Sequence, residues 1–230
     1  GPGNESSTLK AFSYLKDLPN HPKIADLGCG TGSSSLVLAK HTDAHITAID
    51  LFPQFIEKLN IRALQAHVIE KIHATVGDMG ELPFEKASFD VIWSEGAIYN
   101  IGFQRGMNEW YPFIKTGGYI AVTEATWLTE HRPKEIENFW TDAYPEIDTL
   151  PNKVKQMEEA GYRNIITFVL PEECWTKEYY IPQQKAQEIL LEKYPDSPTA
   201  QALVSNQRRE AELYQIYKEY YGYVFFIGQK

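Results

Sequence analysis

The segment Asp26-Leu27-Gly28-Cys29-Gly30-Thr31-Gly32 follows a short apolar run, residues 23–27, and precedes a stretch with helical periodicity, residues 33–41. Glycines at a strand-to-helix turn let the backbone approach a ligand closely, and the first helical turn offers free N–H groups. The spacing Gly-x-Gly-x-Gly departs from the dinucleotide fingerprint, because position 33 is Ser. The segment therefore predicts a ligand-binding turn, and a turn that only tightens the connection is the alternative.

A carboxylate two residues before the first glycine narrows the choice of ligand. Asp26 would repel a pyrophosphate, but it can pair with an ammonium group. A ligand with a zwitterionic amino-acid end therefore fits this turn better than a dinucleotide does. S-adenosylmethionine (SAM) has such an end.

Two further acids follow predicted strands. Asp50 ends an apolar run, 22 residues after Gly28, where a carboxylate can accept hydrogen bonds from both ribose hydroxyls. The next residue, Leu51, could pack against an adenine. Asp78 follows the next strand and could accept from the adenine amino group, while Met79 packs on the ring. Either acid alone would be read as a solvated loop residue, but together with the glycine turn they indicate a nucleoside site.

Short apolar runs alternate with helical patterns along most of the chain. Strands are predicted at residues 23–27, 45–50, 72–76, 89–93, 119–123, 165–170 and 223–227. Helices are predicted at residues 33–41, 54–65, 105–114, 133–140 and 152–160. This alternation is typical of an α/β fold with a mostly parallel, Rossmann-like sheet that helices cover on both faces.

The sixth and seventh predicted strands are separated by a helical block, about residues 171–222. Eight of the fourteen tyrosines lie between Tyr179 and Tyr223. Ser197-Pro198 is a helix-start signal, and Gly222 is a helix-stop signal. No linker-like segment marks a boundary, so residues 1–230 are predicted to form one domain. The block could be a lid over a small acceptor, or it could pack on the sheet and form a homodimer face.

The composition excludes several classes of protein. The 230 residues include 22 Lys and Arg against 31 Asp and Glu, a net charge of −9, which disfavours nucleic acid and anionic membrane surfaces as partners. Two cysteines are too few for a disulfide framework or a structural zinc site, and no metal is expected. Without an 18-residue apolar run or an intact signal peptide, a cytoplasmic location is predicted. Residues 1–3 could be native or a cloning scar.

The motifs together resemble the class I SAM-dependent methyltransferases, especially the small-molecule branch that includes ubiquinone/menaquinone C-methyltransferase-like proteins. The matching stretches are IADLGCGTG (24–32), ITAID (46–50), VGDM (76–79), FDVIWSEGAIYNIG (89–102) and GGYIAVTEATW (117–127). The resemblance implies a seven-stranded sheet whose last strand is antiparallel. It also implies that the methionine end of SAM is held by Asp26, Gly28, Gly30 and Gly32, the ribose by Asp50, and the adenine by Asp78 and Met79. The block 171–222 has no counterpart in the minimal family pattern, so the substrate does not carry over.

The loop after the fourth strand, residues 94–100, is expected to flank the transferable methyl group, because ligands lie at the carboxyl ends of the strands. Ser94 is assigned to the cofactor site. Glu95 could act as general base or cap the turn, and Tyr99 is the second tentative catalytic candidate. The loop lacks the Asn/Asp-Pro-Pro-aromatic signature of adenine or amide methylation. Glu124 and His131 are expected to face the same crevice, and the acceptor pocket is assigned to Tyr99, Trp127, Trp140 and Tyr179.

These observations predict an enzyme that transfers a methyl group from SAM to a small-molecule acceptor and releases S-adenosylhomocysteine (SAH). Positioning and desolvation can supply much of the acceleration of such an in-line displacement. Two alternatives remain open. One is a SAM-binding sensor or assembly subunit without methyl transfer. The other is an NAD-type oxidoreductase, which the missing third glycine of the dinucleotide spacing disfavours.

Overall fold

A central eight-stranded sheet organises the computed structural model, which describes residues 1–230. The strands are β1 (Lys23–Leu27), β2 (His45–Asp50), β3 (Ile72–Val76), β4 (Phe89–Glu95), β5 (Ile114–Trp127), β6 (Asp148–Thr149), β7 (Arg163–Val169) and β8 (Tyr221–Gln229). Their order is β3-β2-β1-β4-β5-β8-β7, and β6 pairs only with the end of β5. Strands β1 to β5 pair in parallel, whereas β8 is antiparallel to β5 and β7. The predicted Rossmann-like fold is confirmed, with the two-residue β6 as an addition.

Nine α-helices accompany the sheet. They are α1 (Glu5–Ser13), α2 (Ser33–His41), α3 (Pro53–Gln65), α4 (Phe103–Trp110), α5 (Lys134–Ala143), α6 (Leu150–Ala160), α7 (Glu172–Trp175), α8 (Ile181–Lys193) and α9 (Pro198–Tyr217). Short 3₁₀ turns occupy residues 69–71, 98–100 and 111–113, and a π-helical turn (Thr176–Tyr180) joins α7 to α8. Two buried apolar clusters pack against the sheet. No helix has the length and apolar character that a membrane span requires.

The helical block between β7 and β8 packs at the carboxyl end of β5. Because β8 is antiparallel, its first residue Tyr221 pairs with Trp127, the last residue of β5. Trp175 of the block is buried and stacks on Tyr214 with ring centroids 4.5 Å apart. Trp175 also contacts Tyr221 and Tyr223 edge-on. These contacts fix the block beside the carboxyl end of β5, and Glu178 is its one residue that lines the cleft described below.

Several boundaries differ from the prediction. The helix predicted at residues 105–114 ends at Trp110, and β5 begins at Ile114 and continues through Gly117-Gly118. Gly222 does not end a helix: α9 ends at Tyr217, and Gly222 lies inside β8. Glycine is compatible with both a helix stop and a strand interior, so its position alone could not distinguish them. The sequence pattern does not predict helix α1.

Candidate active site

A cleft of about 1070 Å³ opens at the carboxyl ends of β1, β2 and β4. Its walls come from the glycine turn after β1, the turns after β2, β3 and β4, and the segment formed by residues 1–8. The predicted site residues that line it are Gly28, Gly30, Asp50, Leu51, Asp78, Met79, Glu95 and Tyr99. Residues far apart in the sequence thus share one cleft at the edge where the fold places its ligands.

The glycine turn requires glycine at position 28 for two reasons. Its φ angle is +72°, a backbone conformation that other residues adopt only with strain. A Cβ added to Gly28 would also lie 2.4 Å from the Cβ of Ala97 and 3.4 Å from Sδ of Met79. The turn is therefore packed closely against the loop after β4, and its residues 28–31 line the cleft.

Asp50 connects the glycine turn to the turn after β2. Its Oδ2 accepts a hydrogen bond from the Gly30 N–H at 2.8 Å, and its Oδ1 accepts from the Phe52 N–H at 3.0 Å. Each carboxylate oxygen has a second lone pair, so both can accept a further donor from the cleft. The exposed side chains of Leu51 and Phe52 form an apolar rim beside this carboxylate.

Asp26 does not line the cleft, contrary to the prediction that it contacts the ligand directly. Its carboxylate is fully buried under the start of α2, where Oδ2 accepts hydrogen bonds from the hydroxyls of Ser34 and Ser35 at 2.8 and 2.5 Å. Its Oδ1 has no partner. Burial raises the pKa of Asp26 to about 6, although the two hydroxyls oppose this shift. Ser34 lies between Asp26 and the cleft and lines the wall.

Gly32 and Ser94, which were also expected at the cofactor site, do not line the cleft. Gly32 is the N-cap of α2 and packs on Leu59, whose Cδ1 would lie 2.0 Å from an added Cβ. The buried Ser94 hydroxyl donates to the Leu27 carbonyl at 2.8 Å and links β4 to β1. Both residues therefore shape the site from behind its wall.

Asp78 and Met79 form the far end of the cleft. Oδ1 of Asp78 accepts from the Gly80 N–H at 2.7 Å, which fixes the turn after β3. The Met79 carbonyl accepts from Nε1 of Trp110 at 2.9 Å, so α4 anchors this turn from outside. The Asp78 carboxylate is exposed to the cleft, and Met79 is half-buried against Gly28.

Glu95 does not cap its turn, because the Gly96 N–H donates to Oγ1 of Thr123 instead. Oε1 of Glu95 accepts from Nε1 of Trp93 and from Oγ1 of Thr8, each at 2.8 Å. Oε2 faces the cleft wall near Gly3 and has no hydrogen bond. Burial raises the pKa of Glu95 to about 7, although the hydrogen bonds from Trp93 and Thr8 oppose this shift.

Of the four residues predicted to form an acceptor pocket, only Tyr99 lines the cleft, with 42% of its surface exposed. Trp127 is buried beneath the guanidinium of Arg132, 4.2 Å from the ring centroid. Trp140 packs against Tyr221 with ring centroids 5.1 Å apart. Tyr179 is half-buried against Trp175 and Tyr180. The two tryptophans therefore belong to the apolar core rather than to the cleft.

The two crevice candidates after β5 also differ from expectation. Strand β5 extends to Trp127, so Glu124 lies within it and is fully buried. Its Oε1 is 3.2 Å from Nζ of Lys153. His131 is exposed and lies outside the cleft.

Helix α1 contributes to the site, although the sequence pattern does not predict this helix. The Asn4 side chain accepts from the Ser7 N–H at 2.8 Å and caps this helix, and Thr8 reaches Glu95. Asn4 followed by Glu5 is a helix-start signal that could have indicated the helix, but the contact with a residue 87 positions later has no local signature. No group of three or more His, Cys, Asp or Glu side chains is placed to hold a metal ion.

Comparisons with known proteins agree with this geometry. Residues 24–118 match the family model described as a methyltransferase domain. The malonyl-[acyl-carrier protein] O-methyltransferase of Herminiimonas arsenicoxydans is 36% identical over 104 residues, which cover 45% of this chain and 37% of that protein. The sarcosine/dimethylglycine N-methyltransferase of Aphanothece halophytica is 32% identical over 48% of this chain and 40% of that protein. The chain thus spans about two fifths of the length of these curated relatives.

A solved structure extends the similarity to the whole chain. A SAM-dependent methyltransferase from Geobacter sulfurreducens, in complex with SAH, has a TM-score of 0.81 and 20% identity, covering 98% of this chain and 92% of that chain. At this identity the similarity concerns the fold. The family match over residues 24–118 and the two curated relatives confirm the resemblance to the class I SAM-dependent methyltransferases.

Proposed function

We propose that this protein transfers a methyl group from SAM to a small-molecule acceptor. The observation that carries the proposal is a single cleft that joins the glycine turn and the acids Asp50 and Asp78 to Glu95 and Tyr99. Its volume of about 1070 Å³ slightly exceeds the usual range of small-ligand sites, roughly 300–1,000 Å³. That volume leaves room for a second small molecule beside the cofactor.

The residues of one half of the cleft fit SAM. At Gly30 an added Cβ would meet nothing within 4 Å, so the turn leaves open space for the methionine end beside Ser34. Asp50 has free lone pairs for the ribose hydroxyls, and Asp78 with Met79 can hold the adenine. When bound, SAM supplies a methyl group on a positively charged sulfur. The unpartnered, fully buried Oδ1 of Asp26 adds negative charge behind this end of the cleft.

Glu95 and Tyr99 form the acceptor half of the cleft. Glu95 is held by Trp93 and Thr8 through Oε1 only, which leaves Oε2 free to accept a proton from the acceptor. A pKa of about 7 suits a general base near neutral pH. The ring of Tyr99 offers an apolar face and a hydroxyl to an amphipathic acceptor. A homodimer and a cytoplasmic location remain predictions from the sequence.

Calorimetry with SAM, SAH and NAD⁺ tests the cofactor. We expect micromolar binding of SAM and SAH, about −8 kcal/mol at 1 μM, and no comparable response to NAD⁺. Incubation with SAM and a metabolite extract, with SAH release as the readout, then tests methyl transfer. Binding of NAD⁺ without SAM would overturn the proposal, and binding of SAM without SAH release from any extract would favour the sensor alternative.

Replacing Asp50 with alanine should weaken SAM binding by about 2–3 kcal/mol, the upper part of the range for hydrogen bonds to a charged group. The same change removes the acceptor for the N–H groups of Gly30 and Phe52, so we also expect a loss of stability of about 1–2 kcal/mol. Asp50→Asn is the matched control. It keeps one acceptor oxygen, so it should lose less SAM affinity and less stability than Asp50→Ala. Calorimetry and thermal melts measure the two effects, and an unchanged SAM affinity in Asp50→Ala would contradict the ribose assignment.

A further inference from the structure

Behind the cleft wall lies a cluster of buried polar side chains that the proposed chemistry does not use. Glu124 in β5 is 0% exposed and Lys153 in α6 is 1% exposed, and Tyr144 follows α5 and is also buried. Tyr144 donates its hydroxyl proton to Oε1 of Glu124, and Nζ of Lys153 lies 3.2 Å from the same oxygen. We call these three residues the Glu124 cluster.

Stability alone gives little reason for this cluster. A buried ion pair must repay the desolvation of both charges, and apolar replacement of the whole pair is often neutral or stabilising. Burial raises the pKa of Glu124, while the Lys153 ammonium and the Tyr144 hydroxyl oppose the shift. Oε2 of Glu124 has no partner. A role in fixing one local arrangement accounts for the cluster better than a contribution to stability does.

Lys153 connects the cluster to the segment 144–147, which has no regular structure. Besides Glu124, its ammonium contacts the Glu146 carbonyl at 3.4 Å and lies 4.5 Å above the ring centroid of Phe103. The segment is therefore held through two of its residues: Tyr144 through its hydroxyl and Glu146 through its carbonyl. Phe103 is the first residue of α4, so the ammonium also touches the element that follows the Tyr99 turn.

The segment 144–147 in turn supports the part of the cleft wall that carries Tyr99. The Tyr144 ring meets the Tyr99 ring edge-on with centroids 6.0 Å apart. The Glu146 carboxylate lies against Gly102, where an added Cβ would be 2.7 Å from Oε2. Gly102 has a φ of +92° and ends the turn that begins at Ile98. Two contacts thus join the segment to this turn, one at Tyr99 and one at Gly102.

We infer that Lys153 and Tyr144 are positioning residues for the acceptor wall, holding the segment 144–147 so that Tyr99 keeps one orientation in the cleft. Neither residue lines the cleft, and they act on Tyr99 through packing rather than on the reacting atoms. The inference that these residues hold Tyr99 in one orientation depends only on the contacts in the structure. Its consequence for acceptor binding rests on the proposed function.

Fluorine NMR of protein labelled with 3-fluorotyrosine tests the positioning without an acceptor. The Tyr99 resonance is identified by its loss in Tyr99→Phe. Tyr144→Phe keeps the ring but removes its bond to Glu124, and we expect the Tyr99 resonance to shift or to split into exchanging states. Lys153→Met should have the same effect on the Tyr99 resonance. If Lys153→Met does not fold, the double variant Glu124→Gln with Lys153→Met, which removes both charges, is used in its place.

Tyr162→Phe is the matched control. Tyr162 is also buried, and its hydroxyl donates to the Met107 carbonyl at 3.2 Å rather than to the Glu124 cluster. It should lower the melting temperature without changing the Tyr99 resonance. An unchanged Tyr99 resonance in folded Tyr144→Phe would overturn the inference.

Kinetics with an identified acceptor provide the second readout. Tyr144→Phe should raise the acceptor KM about tenfold while kcat and SAM affinity stay within about twofold. Tyr162→Phe should change neither constant. If no methyl transfer is found, the NMR result still decides the positioning role, so failure of the proposed function and failure of this inference remain distinguishable. An unchanged acceptor KM in Tyr144→Phe would show that the Glu124 cluster does not position Tyr99 for acceptor binding.

Discussion

Gly28→Ala is expected to lower SAM affinity by at least about 100-fold, or about 2.7 kcal/mol. The new methyl group would lie 2.4 Å from Cβ of Ala97, a distance that forces the glycine turn and the loop after β4 apart. That movement would strain the two hydrogen bonds that hold the turn on β2, in which Gly28 and Cys29 both donate to the Ile49 carbonyl at 2.9 Å. It would therefore displace residues 28–31, which line the cleft. Calorimetry with SAM and SAH measures the loss.

Gly117→Ala is the control for Gly28→Ala, because it separates the effect of the close Cβ contact from the effect of the left-handed backbone conformation. Gly117 has a similar φ, +80°, but an added Cβ there would meet nothing within 4 Å, and the residue lies outside the cleft. It should therefore lose about 1–2 kcal/mol of stability to the left-handed conformation and keep its SAM affinity. If both variants lose SAM affinity equally, the loss in Gly28→Ala comes from destabilisation of the protein, and the role assigned to the glycine turn is wrong.

Much of the fold could be predicted because the signals are local. The bounds of β1, β2, β3 and α2 agree with the prediction, since a glycine or a polar residue lies at or next to each end of these elements. The position of Asp50 at the end of β2 also places it at the ligand edge of the sheet. Its two bonds to the N–H groups of Gly30 and Phe52 could not be predicted, because they depend on how closely two turns approach each other.

The acceptor half of the site depends on long-range packing, which the sequence pattern does not encode. Trp127 and Trp140 are large amphipathic side chains that suit a pocket wall and a core equally well. Burial decides between these roles, and here it places both in the core. Thr8 reaches Glu95 only because α1 folds back over the cleft, and a lone threonine near the start of a sequence gives no hint of that contact.

The raised pKa of Glu95 predicts how stability changes with pH. Because the folded pKa is about 7 against an ordinary value of 4.5, the folded protein binds more protons than the unfolded chain between these values. The free energy of unfolding should therefore fall as pH rises from about 4.5 to 7, by at most about 3 kcal/mol from this group. Asp26, Glu124 and Glu210 have raised pKa values and act in the same direction, so the difference from Glu95→Gln isolates Glu95. Urea unfolding of both proteins across this range measures it, and parallel curves would contradict the shift.

Glu95→Gln should also lower the rate of methyl transfer by about 100-fold or more, the smaller end of general acid–base effects. In the wild type, only the ionised carboxylate can accept the acceptor's proton, so kcat should rise with pH and level off above about 7. Glutamine keeps an oxygen for Trp93 and Thr8 but accepts no proton, so the variant should lose this pH dependence while α1 stays in place.

Glu173→Gln replaces an exposed carboxylate on α7 outside the cleft, so it controls for the change of charge and should keep the wild-type profile. SAH release measured from pH 5 to 9 gives both profiles. If Glu95→Gln keeps the wild-type rate and profile, the acceptor reacts without losing a proton to Glu95, and the carboxylate serves only to hold Thr8 and helix α1 over the cleft.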